Sequence, residues 1–433
     1  MLLGVVASTV FSWYLVNSWL IGLLVICRLA DGGPLPAIKT AFTNKYFIAY
    51  LVLFLIGAAG LFYTHDHLHA SRSMTKEATM VAISFAICGG LFADALDYRR
   101  FMTSYCGIMF LAAGYCLITA AIHYEAMPLK DNTVFFYHAL TSKVGFNAVF
   151  FTVYMIFGLL FLLSQPMEMG KVSVRIRRGI QIFLIFFYIG IIILLSSKLL
   201  LIVLVLILAS VILHRFIIQR NYKATAGVML AAMLVAGWAL FTDNPIKDRY
   251  MDLRHGQMTT AKQDSFANYT QFNGASLRLL QWRFANQILD EHSAWIAGVS
   301  PGDAQDLLNE KYRKANIFVG APNTKARGYW DYNFHNQYLE TMVRSGFLGL
   351  AALIFVCWLI FSLADRRKTA ETVFTALTLL STCAVESFLT LQHGVFAFVF
   401  MPLVLLYSPK KAIARKLKPL VRHPSGLPHE AGG

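Results

Sequence analysis

Apolar runs long enough to cross a bilayer recur along almost the whole chain. A helical span needs roughly 20 apolar residues. Runs of that kind fall near 3–27, 46–63, 78–95, 103–122, 146–164, 180–195, 199–214, 226–242, 347–363, 371–388 and 394–407. Ser12 and Asn17 interrupt the first run, so the total reads as about eleven or twelve spans. Lipid offers the backbone no water to hydrogen-bond, so each span must be a helix. The predicted fold class is therefore all-α, a polytopic helical membrane protein. Composition agrees: of 433 residues 57% are hydrophobic and only 14% charged, too few charges for the soluble domains such a length would otherwise suggest. The chain divides into membrane helices over 1–242, a large polar loop over 243–336, membrane helices over 337–408 and a basic tail over 409–433.

The six cysteines, Cys27, Cys88, Cys106, Cys116, Cys357 and Cys383, all fall in apolar runs and read as packing residues rather than disulfides or metal ligands. No secretory leader with a cleavage site is evident, so the first run is expected to be a retained span. The net charge of +15 is explained by placement rather than by nucleic acid. Arg28, Lys39, Lys45, Arg99, Arg100, Lys171, Arg175, Arg177, Arg178, Arg215, Arg220, Lys223, Arg366, Arg367, Lys368 and the tail gather on one side of the membrane. The short loops of the other side hold only Arg72, Lys76, Lys130, Lys143 and Lys198. Cationic loops stay in the cytoplasm, so the large loop is expected outside, in the periplasm of a Gram-negative cell. Lys198, the 123–145 loop and the turn after Glu386 are expected on that same face.

Where the polar loop returns to the membrane the chain reads Asn333-Phe334-His335-Asn336-Gln337-Tyr338-Leu339-Glu340. From Gln337 to Arg344 the apolar positions Tyr338, Leu339, Met342 and Val343 form one helical stripe, with Gln337, Glu340, Thr341 and Arg344 on the other face. Ser345-Gly346 can bend the chain before the next span. His335 thus stands at a helix mouth beside the membrane. A neutral imidazole there can take a proton from a hydroxyl, or serve as a polar cap, and the helix N-terminus offers free N–H groups to a phosphate. Arg278 and Arg283 stand five apart in Ser276–Arg283, so they do not share a helix face; either could grip phosphate or snorkel to headgroups. Lys198, alone between two apolar runs, must face a cavity or reach the interface. Glu386, Gln392 and His393 cluster at the turn between the last two spans and either line a site or tie helices together. His65-Asp66-His67-Leu68-His69 lacks a third well-spaced ligand and reads as an exposed polar loop rather than a metal centre. No Gly-rich nucleotide loop, nucleophile elbow or paired acidic motif is present on the outer side, which argues against ATP use and metal-dependent nucleotide-sugar chemistry.

The stretch His335-Asn336-Gln337-Tyr338-Leu339, followed by Gly346-Phe347-Leu348-Gly349-Leu350, resembles the hallmark of the O-antigen ligase and polymerase superfamily. Arg278–Trp282 with Trp295-Ile296-Ala297-Gly298-Val299 resembles that family's arginine-bearing outer loop. Ser196-Ser197-Lys198 resembles its serine-rich motif, where an arginine is commoner. Glu386-Ser387-Phe388-Leu389 with Gln392-His393-Gly394 resembles the closing segment of ligase-like members. The resemblance implies a GT-C-like, inverting glycosyltransferase that works without metal or other cofactor. Its donor would be a glycan on polyprenyl (undecaprenyl) diphosphate, and its acceptor lipid A–core or another glycan. It implies His335 as the base, and Arg278 with Lys198 as ligands of the diphosphate. Asn336, Tyr338, Glu386 and Gln392 would line the site, while Arg283 and Arg327 are further candidates that no motif fixes. Ligation to lipid A–core is the preferred activity. Polymerisation of repeat units and oligosaccharide transfer to protein share the motif. A transporter of lipid-linked glycans would call for charges within several spans and repeated halves, whereas most spans here are uncharged and one large loop breaks any symmetry.

Overall fold

The computed structural model describes residues 1–31, 33–90, 95–213, 260–267, 270–320 and 328–408. The run at 226–242, the first part of the polar loop, Arg327 and the basic tail lie outside the described residues. Among the described residues every regular element is helical, as the apolar runs require. Each expected run within them is occupied by helix, but only Lys45–Phe62, Asp97–Ala126, Val174–Leu195 and Gln337–Arg367 are individually long and apolar enough to cross a membrane. The bent pairs Tyr14–Ala30 with Pro34–Phe42 and Tyr137–Val144 with Ala148–Ser164 raise the total to six. Lys198–Leu213, Ala370–Cys383 and Gln392–Tyr407 are shorter. A helix enclosed by other helices need not match the bilayer thickness, because protein rather than lipid covers its ends. The first run is two helices, Leu2–Val10 and Tyr14–Ala30, separated at Ser12, whose φ is +55°.

Burial separates the inner helices from the outer ones. Ala148–Ser164 and Gln392–Val404 are buried on all sides and form the centre of the bundle. Around them pack Lys45–Ala59, His67–Cys88, Ala370–Cys383 and Val174–Leu195. The outer helices keep one face exposed and apolar, with Leu15, Trp19, Ile118, Phe186 and Trp358 all more than half accessible. Patches of that kind need a lipid solvent. Between helices, buried tyrosine hydroxyls find backbone acceptors: Tyr50 donates to Phe398 O, Tyr105 to Tyr154 O, Tyr154 to His393 O and Tyr188 to Cys106 O, at 2.8–2.9 Å. Such bonds add direction to packing that apolar contact alone leaves loose in lipid.

The polar loop has a second core of its own. Phe266, Leu280, Phe284, Ile288, Leu308 and Tyr312 enclose it, and Phe334, Met342 and Val343 close it from the membrane side. Its helices are Gly274–Glu291 and Ala304–Lys314, and the first is capped by Asn273, whose side chain accepts hydrogen bonds from the Ala275 and Ser276 amides. The loop is clamped to the bundle at Asp303. Its carboxylate accepts from the backbone of His65 and Asp66 and from the Thr64 hydroxyl. The His65 ring also lies 3.2 Å from it, so the histidine-rich stretch serves as a docking point for the loop.

A second joint lies at Gly346, where the long helix Gln337–Arg367 breaks (φ +62°, ψ −162°). The segment Trp295–Ser300 threads across that break. Val299 and Ser300 donate to Val343 O and Arg344 O, while Phe347 and Leu348 donate to Trp295 O and Ile296 O. Carbonyls and amides that a broken helix would orphan are thereby satisfied by one foreign segment. Glycine is obligatory on both sides: a Cβ on Gly346 would sit 2.1 Å from Ile296 O, and one on Gly298 2.4 Å from the Arg344 carbonyl carbon.

The polar face of the first half of this helix departs from a solvated stripe. Gln337, Glu340 and Arg344 are only 1%, 6% and 6% exposed. Each has a partner: Gln337 accepts from the Leu389 amide, Glu340 from the Ser387 hydroxyl, and Arg344 is paired with Glu77 at 2.6 Å. Buried polar groups persist only when bonded in this way. The amphipathic pattern therefore reports a polar protein interior rather than a water-facing surface.

Candidate active site

Three elements distant in sequence meet at Glu386, which stands in the turn between Ala370–Cys383 and Gln392–Val404. One carboxylate oxygen, Oε2, lies 3.3 Å from Nδ1 of His335, and the other, Oε1, accepts from Arg278 Nη2 at 3.1 Å. The carboxylate is nearly enclosed, with its side chain 10% exposed, while the His335 and Arg278 side chains remain open at 24% and 28%. One acidic group thus ties the loop to the returning helix, with both partners facing outward.

Local sequence explains each placement. Arg278 is in the second turn of Gly274–Glu291, and its guanidinium also reaches back to Gly274 O and across to Val385 O. His335 precedes the helix cap Asn336, whose side chain accepts from the Tyr338 and Leu339 amides. Phe334, 1% exposed, anchors the chain in the loop core on one side. Asn333 Oδ1 accepts the His335 amide, and His335 takes a left-handed φ of +46°. That conformation is uncommon for a residue with a Cβ and persists only where the surroundings enforce it.

Burial alone would raise the Glu386 carboxyl. The hydrogen bond and charge of His335, with the charge of Arg278, outweigh it and hold the group below the usual glutamate range. His138, on the short helix Tyr137–Thr141, acts on it in the same direction. An ionised carboxylate can only accept. A neutral His335 ring therefore carries its proton on Nδ1 and keeps the Nε2 lone pair for another partner. Of the five N–H groups of the Arg278 guanidinium, the three bonds to Glu386, Val385 and Gly274 leave two for a ligand.

The remaining predicted residues are distributed differently. Lys198 opens the helix Lys198–Leu213, which packs against Ala370–Cys383, the helix leading into Glu386. Arg283 is turned away from this cluster: it pairs with Asp264 at 3.6 Å and donates to Gln263 O, five residues and a different helix face from Arg278. Tyr338 donates to Leu380 O and joins two helices. Gln392 donates to Asn17, whose amide in turn bonds Ser8 and Thr9, so it belongs to a buried network with the first two helices. His393 joins the same region through Ser12. Glu386 as the shared partner, and His138 beside it, were not legible as such in sequence; Glu386 lies 51 residues from His335 and 108 from Arg278. Among the described residues no three His, Cys, Asp or Glu side chains are placed to hold a metal ion.

Comparison with curated proteins gives no match. A family model described as O-Antigen ligase matches residues 183–354, a segment that holds Lys198, Arg278 and His335 and ends before Glu386. The resemblance carried by the His335 motif is thereby borne out, and the chain is similar over this segment to the O-antigen ligase superfamily.

Proposed function

We propose that the protein joins a glycan, carried on a polyprenyl diphosphate, to an acceptor hydroxyl at the periplasmic face of the inner membrane, with lipid A–core as the acceptor. The coarser part of this reading, an O-antigen ligase- or polymerase-type activity in a multi-pass membrane protein, is supported by the family match and the apolar helices. The observation that carries the mechanism is the shared carboxylate: Glu386 with His335 on one oxygen and Arg278 on the other.

In this reaction the acceptor hydroxyl gives its proton to His335 Nε2, and its oxygen forms the new bond to the anomeric carbon. The bond from that carbon to the diphosphate oxygen breaks on the opposite face. Its electron pair leaves with the diphosphate, so configuration at the sugar inverts. Glu386 holds the imidazole in the tautomer that can accept, and stabilises the imidazolium as it forms. The free N–H groups of Arg278, with Lys198 as a point charge, stabilise the departing diphosphate. The leaving group already carries the driving force, so no nucleotide is required.

His335→Ala in the purified protein, supplied with lipid-linked donor and lipid A–core, is expected to lose transfer by about 10²–10⁴-fold while remaining folded in the membrane. Undiminished transfer by that variant would remove His335 from the chemistry. A covalently joined product from the wild type separates this function from transport.

A further inference from the structure

Beside the His335 turn opens a cavity of about 490 Å³, lined among others by Arg72, Lys76, Arg344, Asp331, Asn333 and Glu340. Arg72 and Lys76 are four residues apart on the helix His67–Cys88, so they project from one face. Both are exposed, and no described residue gives either of them a hydrogen bond or an ion pair. The floor is different. Arg344 is neutralised by Glu77 and bonded to Ser73, and Glu340 is held by Ser387. The unspent positive charge is thus at the mouth. Like charges at this helical spacing repel when no counter-ion stands between them. Partial desolvation, with the Arg344 and Arg72 charges nearby, holds the Lys76 ammonium below its usual value. A bound anion would relieve that repulsion.

The cavity also borders the turn that carries His335, although the ring itself is not in its lining. Asn333, on its wall, caps the His335 amide at 3.0 Å. The wall near His335 therefore offers carboxylate and amide groups, suited to sugar hydroxyls. The rim offers two cations, suited to a phosphate. Arg278, the diphosphate ligand proposed above, belongs to a different element and is engaged with Glu386.

We propose that this cavity is the acceptor subsite for a phosphorylated sugar, Arg72 and Lys76 gripping its phosphate while Asp331 and Asn333 face its hydroxyls. The proposal rests on the glycan-transfer reading above and names the acceptor class. The same chemistry could be met by a membrane-lipid headgroup, and the experiment separates the two sources.

Full-length protein in phosphatidylcholine nanodiscs is titrated with core oligosaccharide released from lipopolysaccharide by mild acid, before and after phosphatase treatment. Wild type is expected to bind the phosphorylated probe saturably. Arg72→Gln with Lys76→Gln should weaken it about tenfold, and phosphatase treatment of the probe should weaken wild-type binding by a similar factor. The thermal melt of the double variant checks that it is folded, and Arg72→Lys with Lys76 intact should retain most binding. Equal affinity of the wild type for treated and untreated probe overturns the proposal. So does a preference for phosphate that disappears in phosphatidylglycerol discs, which would give the cations to lipid. Binding is read without transfer, so its loss condemns the subsite alone, while undiminished transfer by His335→Ala condemns the base alone.

Discussion

Glu386 is the residue on which most depends, because it sets the protonation pattern of His335 and the position of Arg278 at once. Glu386→Gln keeps the size and one acceptor oxygen. Its amide would donate to Nδ1, favour the other tautomer and place a proton on Nε2, where the base must be free. Transfer should fall by about 10²–10⁴-fold, with the KM for donor changed much less. The same carboxylate gives a pH signature in stability. Its pKa is lowered on folding, so its contribution is complete above the ordinary glutamate value near 4.3 and is lost as pH falls through the lower folded value. The difference in Tm between wild type and Glu386→Gln should therefore shrink as pH falls from about 5 toward 3. A difference that grows on acidification would reverse this account.

At the scale of elements, the break at Gly346 shows what was and was not readable in the chain. Ser345-Gly346 predicts a bend, and the helix does bend there. The segment that fills the bend is Trp295–Ser300, and nothing in the local pattern announces a partner some fifty residues away. Gly346→Ala forces a side chain into a left-handed position and against Ile296 O. It should destabilise the fold by more than about 2 kcal/mol, read as lost Tm or lost monodisperse protein in detergent. An unchanged melt would mean that the two segments separate at little cost. The limits of helical spacing appear at Arg283, which shares a helix with Arg278 but turns to Asp264. Five residues along a helix is well over one turn, so the spacing excluded a shared face without saying which arginine would meet the site.

The described residues form an apolar helical bundle and a loop with its own core, joined at Asp303, at the Gly346 break and at Glu386. Fold class, the existence of the loop and the grouping of His335, Arg278 and Glu386 at one end follow from hydropathy and motif. The contacts among them do not, because register between two independently packed bodies is set by joints such as Asp303. Asp303→Ala removes a charged acceptor from the backbone of His65 and Asp66 and from Thr64. Hydrogen bonds to a charged group contribute about 1.5–3 kcal/mol each. The loop should become at least about tenfold more sensitive to limited proteolysis, and transfer should fall although no site residue has changed. Wild-type cleavage kinetics in this variant would show that the clasp at Gly346 suffices.

Glu386 also fixes a moment in the life of the chain. The loop is synthesised before the last helices, yet its arginine and its histidine take their common partner from a residue encoded after both. The clasp likewise waits for Val343 to Leu348. While the ribosome is still short of the final turn, Arg278 and His335 have no shared anchor. A chain cut before Glu386 can carry the whole segment matched by the family model and still lack a finished site. The proposed site is therefore complete only when nearly every membrane helix has been made, so a partly inserted chain would lack the carboxylate that joins its histidine to its arginine.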